Sequence, residues 1–207
     1  MLFDQIIEAR QSIRKYRAEK PPWHLIEGML KCASTAPSPS NSQPVRYFCL
    51  KSDEIRDHLK QEMGFGRDRF LKKLEQVGGS KKIKNRINAY YRFSEFMFSA
   101  PYLFAVGVEP VESLSQKLLE ARVITEDKKK YTDPDISTGL SLNAFILKGV
   151  ESGIGTCILT APLVYVNETD TIINKGVRIN SFVTVGFSDE DSNSPLKKTV
   201  SDIYMDI

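Results

Sequence analysis

Histidine is almost missing from this 207-residue chain: His24 and His58 stand alone, and no HxxxH or CxxC pair provides metal-ligand spacing. That excludes a zinc site of the ordinary kind. Cysteine is equally sparse, with Cys32, Cys49 and Cys157 odd in number, far apart and set in apolar surroundings. Reduced core thiols are therefore expected rather than a disulfide framework. No long hydrophobic run occurs; the best, YLFAVGV at 102–108, falls far short of the roughly 20 residues that span a bilayer. Asp4 and Glu8 interrupt any would-be signal segment, so a soluble, cytoplasmic protein without membrane partners is expected. A phosphate-cradling P-loop lysine motif is missing too. Gly153-Ile-Gly155 has no third glycine and follows a helical pattern, so the dinucleotide fingerprint fails and a helix stop with close packing is the reading taken. The Asp57-His58 pair lies in a charged helical stretch with no serine in a nucleophile-elbow context, which leaves no hydrolytic triad.

What is present is enough for one domain over 1–207: 41% hydrophobic and 10% aromatic residues can bury a real core. The formal net charge of +3 is unevenly spread, because residues 67–92 hold nine Lys or Arg against Asp68 and Glu75. That segment is +7 and the remainder −4. Interleaved aromatics (Phe70, Tyr90, Tyr91, Phe93) give it the composition of a nucleic-acid surface, but a solvated helix face is the commoner origin of such a run and is preferred.

Periodicity predicts helices at Phe3–Ile7, from Pro22 to Ala33, after Ser52, through part of the basic segment, over Val111–Val123, over Asp135–Ser152 and near Glu168–Asn174. Strands are expected at Val45–Leu50, 102–108, after Gly155 and at Ile179–Phe187. The Asp135–Ser152 helix is apolar around most of its circumference and is expected to be buried on nearly all sides, in the molecule's centre or a subunit interface. The mixture is α+β with helices on both faces of a sheet.

Two stretches carry chemistry. In EARQSIRKYRAEK (8–20), Arg10, Ser12 and Arg14 alternate and project to one side of an extended chain, an arrangement that suits a phosphate. APSPSNSQP (36–44) is a proline- and serine-rich loop, for which a plain connector is the bland alternative. With GLSLNAFILKGVESGIGTC (139–157) following in order, the chain resembles the flavin-dependent nitroreductase family, whose motifs are RxS-x-R/K, APS-x-x-NxQPW and a helix closed by a GxG-type turn.

The resemblance implies a three-layer α/β/α sandwich with a mostly antiparallel mixed sheet, an intertwined homodimer and an FMN at its interface. Arg10, Gln11 and Ser12 match positions holding the flavin's phosphate and ribityl chain, and Arg14 one beside its pyrimidine edge. Pro37, Ser38, Ser40, Asn41 and Gln43 match the loop that reaches the flavin from the second subunit. Leu159 and Thr160, within Ile158–Ala161, match backbone passing flavin N5, while Lys197 and Lys198 match a basic pair completing the phosphate site. No catalytic side chain is implied, since the reaction takes place at N5. The implied activity is ping-pong oxidoreduction: NAD(P)H reduces FMN, and a nitroaromatic, quinone or similar planar acceptor reoxidises it. A reductive dehalogenase, a flavin-fragmenting enzyme and a flavin-binding protein with little turnover are the alternatives.

The chain departs from the pattern at Val45, where the family commonly has Trp, and carries no matched feature in the lid and substrate region within 62–134, while the extension at 196–207 holds the Lys197-Lys198 pair. Phe65, Phe70, Tyr90, Tyr91 and Phe93 are expected mostly to pack rather than stack on a substrate.

Overall fold

The computed structural model describes residues 2–112, 114–125, 132–166, 169, 173, 176–191 and 197–206. Its helices are α1 (Phe3–Ala9), α2 (Trp23–Ser34), α3 (Asp53–Gln76), α4 (Lys81–Glu95), α5 (Leu114–Glu120), α6 (Thr132–Glu151), α7 (Pro162–Tyr165) and α8 (Val200–Ile203). The strands are β1 (Val45–Cys49), β2 (Tyr102–Val108), β3 (Gly155–Leu159) and β4 (Arg178–Gly186), all antiparallel and ordered β1-β2-β4-β3. The helix expected near Glu168–Asn174 lies for the most part outside the described residues.

The central pair explains itself from its side chains. Every residue of β2 is buried, as an apolar run must be when both edges are paired and both faces covered. Alternation then sorts its residues by face. Tyr102, Phe104 and Val106 join Val183 and Val185 of β4 in one core with Ile26 and Met29 of α2 and Phe145 of α6. Leu103 and Ala105 join Phe182, Cys157 and Leu159 in a second core with Leu59 and Met63 of α3, Tyr91 of α4 and Tyr165 of α7. The result is three layers, with helices on both faces of the sheet. Full burial of side chains such as Phe104, Phe145 and Phe182 contributes roughly 1.5–3 kcal/mol each.

The basic segment forms most of an α3–α4 hairpin. In α3, Leu59, Met63 and Gly66 are the buried stripe, and in α4 Tyr91 and Ser94 are buried with Ile87 half-buried behind them. The remaining positions are largely exposed, so most of the charge run is a solvated face. One expectation is narrowed here and one changes. Helix α6 is not enclosed within one chain, because Ile136 and Leu140 are 53% and 43% exposed while Leu142, Phe145 and Ile146 face the core, so enclosure on nearly all sides would need the subunit interface that was the other expected setting. Among the five hairpin aromatics, Tyr91 is buried and Phe70 half-buried, whereas Phe65, Tyr90 and Phe93 stand in solvent. No helix among the described residues is long and apolar enough to cross a membrane, and no group of three metal-ligating side chains forms among them.

Candidate functional site

The segment 12–17 is extended and zipped onto the sheet beside β3. Ser12 bridges Thr156 in parallel, the Ile13 amide donates to the Thr156 carbonyl at 2.9 Å, and Tyr16 bridges Ser188. Close approach is possible because position 155 is glycine: a Cβ there would fall 2.7 Å from the Ile13 side chain. Three side chains, those of Tyr16, Arg17 and Glu190, hold the segment further. The Tyr16 hydroxyl donates to the Ile13 carbonyl at 2.6 Å and lies 2.7 Å from Thr184 Oγ1, and burial pushes its phenol well above the usual range. Arg17 Nε donates to the Ser188 carbonyl at 3.0 Å. One carboxylate oxygen of Glu190 accepts from the backbone amides of both Arg14 (2.6 Å) and Lys15.

Ile13 is thereby buried, leaving Arg14 exposed and Arg10, Gln11 and Ser12 half-buried on the outside of the sheet edge. An anion at this edge would meet two arginines without competing for a core position. Arg14 also donates to the Ser12 carbonyl at 3.3 Å. Behind Ser12 sits the Cys157 thiol, pushed up by burial and drawn back only in part by the Arg14 charge and a Ser12 hydrogen bond. It is a protonated core thiol at neutral pH, as its apolar neighbours suggest.

β3 is an edge strand, and its exposure changes abruptly at its end. Gly155, Thr156 and Cys157 are buried, Ile158 is 40% exposed, Leu159 is buried and Thr160 is exposed again. An exposed isoleucine on an otherwise buried strand, directly followed by accessible backbone, offers a flat ligand both an apolar platform and amide groups. Gly153 ends α6 with φ +70°, the left-handed helix stop anticipated for this glycine pair.

The loop 37–43 lies at the other end of the sheet, ahead of β1, and is conformationally strained. Ser40, Asn41 and Gln43 all have left-handed backbones, with φ of 52°, 53° and 46°. Such residues cost on the order of 1–3 kcal/mol each, less for Asn, and persist where surrounding contacts impose them. Here the Gln43 amide donates to Ser38 Oγ (2.9 Å), Gln43 Nε2 donates to Asn41 Oδ1 (2.9 Å), and Arg46 holds the Gln43 carbonyl (2.8 Å) while paired with Glu109 (2.6 Å). Pro37, Ser38 and Gln43 line a cavity of about 130 Å³ that Ser137 and Ser141 of α6 close from behind.

These two sets of residues do not meet in one chain. β1 and β3 are opposite edges of the sheet. Three strand spacings of about 4.8 Å separate them, or roughly 14 Å. Arg10, Gln11, Ser12, Arg14, Leu159 and Thr160 are gathered at one edge, and Pro37, Ser38, Ser40, Asn41 and Gln43 at the other. Lys197 and Lys198 are exposed just ahead of α8. Motif reading missed Glu190, which holds the arginine segment from far along the chain, and Tyr165, whose hydroxyl donates to the Ile87 carbonyl at 2.8 Å and ties α4 to the turn after β3. Neither has a local signal in the sequence, because each acts through a partner distant along the chain.

Comparison with known proteins is consistent with this geometry. Residues 7–187 match the model of the nitroreductase family. An iodotyrosine deiodinase of Thermotoga neapolitana is 24% identical over 192 residues, spanning 92% of this chain and 90% of that protein. Among solved structures, a BluB-like flavoprotein from Clostridium difficile 630 superposes with a TM-score of 0.88 at 24% identity, covering 100% of this chain and 99% of that one. A nitroreductase with bound FMN from Bacteroides fragilis superposes at 0.67 with 15% identity, covering 100% and 99%. At these identities the structural likenesses bear on the fold.

Proposed function

The chain belongs to the nitroreductase family, and from that premise we propose that it is an FMN-dependent oxidoreductase which takes a hydride from NAD(P)H and passes electrons to a planar acceptor such as a nitroaromatic or a quinone. The FMN would sit between two copies of the chain. The observation that carries this reading is the division of the signature between opposite sheet edges, one of them a strained loop whose Ser40, Asn41 and Gln43 stand exposed.

The residues present suit the group. Arg10 and Arg14, joined by Lys197 and Lys198, supply cations for a phosphate dianion, and Ser12 a hydroxyl. Lysines in the last two positions bind as point charges rather than forks. Exposed Ile158 and the backbone through Ala161 would lie along the ring. Ser38, Ser40, Asn41 and Gln43 would approach from the partner copy, their backbones already set by the hydrogen bonds within the loop. When bound, FMN supplies hydride acceptance and return of the electron pair. Arg14 would hold a fixed positive charge against the negative charge that gathers on the reduced ring.

A second reading, reductive dehalogenation, is favoured by the match to the Thermotoga deiodinase along nearly the full length of both chains. One experiment separates the readings: the visible spectrum of the purified protein before and after anaerobic NADH or NADPH, then reoxidation by a nitroaromatic, a quinone or 3-iodotyrosine. Yellow protein that yields FMN, bleaches with nicotinamide and reoxidises with the first two supports the proposal. Bleaching only by dithionite, with turnover of the iodinated substrate alone, replaces it with the second reading. Colourless protein that ignores added FMN ends both.

A further inference from the structure

The α3–α4 hairpin closes over the turn that follows β3 and leaves a groove of about 360 Å³, lined by Arg86, Ile87, Tyr90, Thr160, Val164 and Tyr165. Its shape is fixed by packing. Tyr165 donates to the Ile87 carbonyl at 2.8 Å, meets Tyr91 edge-on at 5.8 Å and tilts against Phe70 at 5.9 Å. On the neighbouring helix, Gly66 lets α3 press against the Tyr165 backbone, since a Cβ would fall 1.9 Å from the Tyr165 carbonyl oxygen. With Ile87 pinned in this way, the register of α4 is set. Arg86 and Tyr90, four residues apart and so neighbours on one helix face, are held at the groove.

Among the described residues lining the groove, Arg86 is the one charged side chain, and it makes no ion pair among those residues. The acids of the basic segment are engaged elsewhere: Asp68 with Arg67 at 2.8 Å and Glu75 with Lys84 at 3.8 Å. Tyr90 is 59% exposed although its ring borders an otherwise mostly apolar hollow. We propose that this groove is the specificity subsite for the electron acceptor, selecting a planar aromatic that bears a single negative charge. Arg86 takes the anion and Tyr90 stacks on the ring. The proposal rests on the flavin reading above, because it is Thr160 that joins the groove to the β3 edge. The volume matches a substituted single ring and is small for a whole dinucleotide. The surrounding +7 of residues 67–92 raises the local concentration of anions before docking.

The test is calorimetric titration of the full-length protein, with its FMN content measured from its absorbance, using 4-nitrobenzoate and the neutral 4-nitrobenzyl alcohol. The benzoate is expected to bind about tenfold more tightly at low ionic strength, with the advantage shrinking in salt. Arg86→Gln should bring the two ligands within about twofold by weakening the benzoate, and Arg86→Lys should retain part of the preference. Equal affinities in the wild-type protein, or an undiminished preference in Arg86→Gln, would overturn the proposal. Protein that carries no FMN and takes up none when it is added refutes the flavin reading separately: benzoate binding that still depends on Arg86 would then support the groove, and no binding would reject it.

Discussion

Glu190 shows how a single side chain can set the geometry of a sheet edge from far along the chain. Its carboxylate accepts from two consecutive amides, those of Arg14 and Lys15, and so holds the extended segment on which the arginines stand. Hydrogen bonds to a charged acceptor contribute about 1.5–3 kcal/mol, and at an exposed edge the low end applies. Glu190→Ala is therefore expected to weaken FMN binding roughly tenfold, each tenfold being about 1.4 kcal/mol, while Glu190→Gln keeps an acceptor oxygen and loses less. A fluorescence titration with FMN checks this, and equal affinity in wild type and Glu190→Ala would show that the carboxylate has no positioning role. The arginines stood out in the sequence because an extended chain repeats every two residues, which would put Arg10, Ser12 and Arg14 on one side. Glu190 was not, because 176 residues separate it from the amide it holds.

At the scale of elements, the α3–α4 hairpin depends on one glycine and is indifferent to another two positions away. Gly66 faces the Tyr165 carbonyl with no room for a methyl group, whereas the nearest atom to a Cβ at Gly64 is the Tyr91 hydroxyl at 3.8 Å. Gly66→Ala should destabilise the protein by roughly 1–3 kcal/mol through overpacking. Gly64→Ala should be neutral or stabilising by up to about 1 kcal/mol, since alanine is the better helix former. Chemical denaturation of the two variants decides the matter; similar changes in both would mean that α3 does not seat on Tyr165 as described. The sequence placed a helix after Ser52 and helical structure in part of the basic segment, but not the Leu59, Met63 and Gly66 stripe that is buried or the surface it covers. Local periodicity records which face is apolar, and only the fold decides that α7 lies beneath it. For the same reason β2 could be read directly, being an apolar run buried on both sides. Of the five aromatics expected mostly to pack, Phe65, Tyr90 and Phe93 instead proved exposed.

At the scale of the molecule, α6 joins fold to function. Its sequence is apolar around most of its circumference, yet one chain covers only the side carrying Leu142, Phe145 and Ile146. Ile136 and Leu140 remain uncovered, and the α1 helix that packs against α6 exposes Phe3 and Ile7 as well. A sequence pattern for full enclosure on a helix that is half enclosed is most simply satisfied by a second copy, because leaving such a stripe in water forfeits about 25 cal/mol for every Å² of apolar area it could bury. The same pairing would also bring the strained loop of one copy to the arginine edge of the other, which a single sheet keeps roughly 14 Å apart. Placing a carboxylate in the middle of the stripe tests both consequences at once. Leu140→Glu, exposed in the single chain, should leave the circular dichroism of the fold intact, convert a dimer to a monomer in sedimentation equilibrium and release FMN in the same step. A variant that becomes monomeric and keeps its FMN would show that one chain suffices to hold the flavin; a variant that stays dimeric would move the interface away from α6.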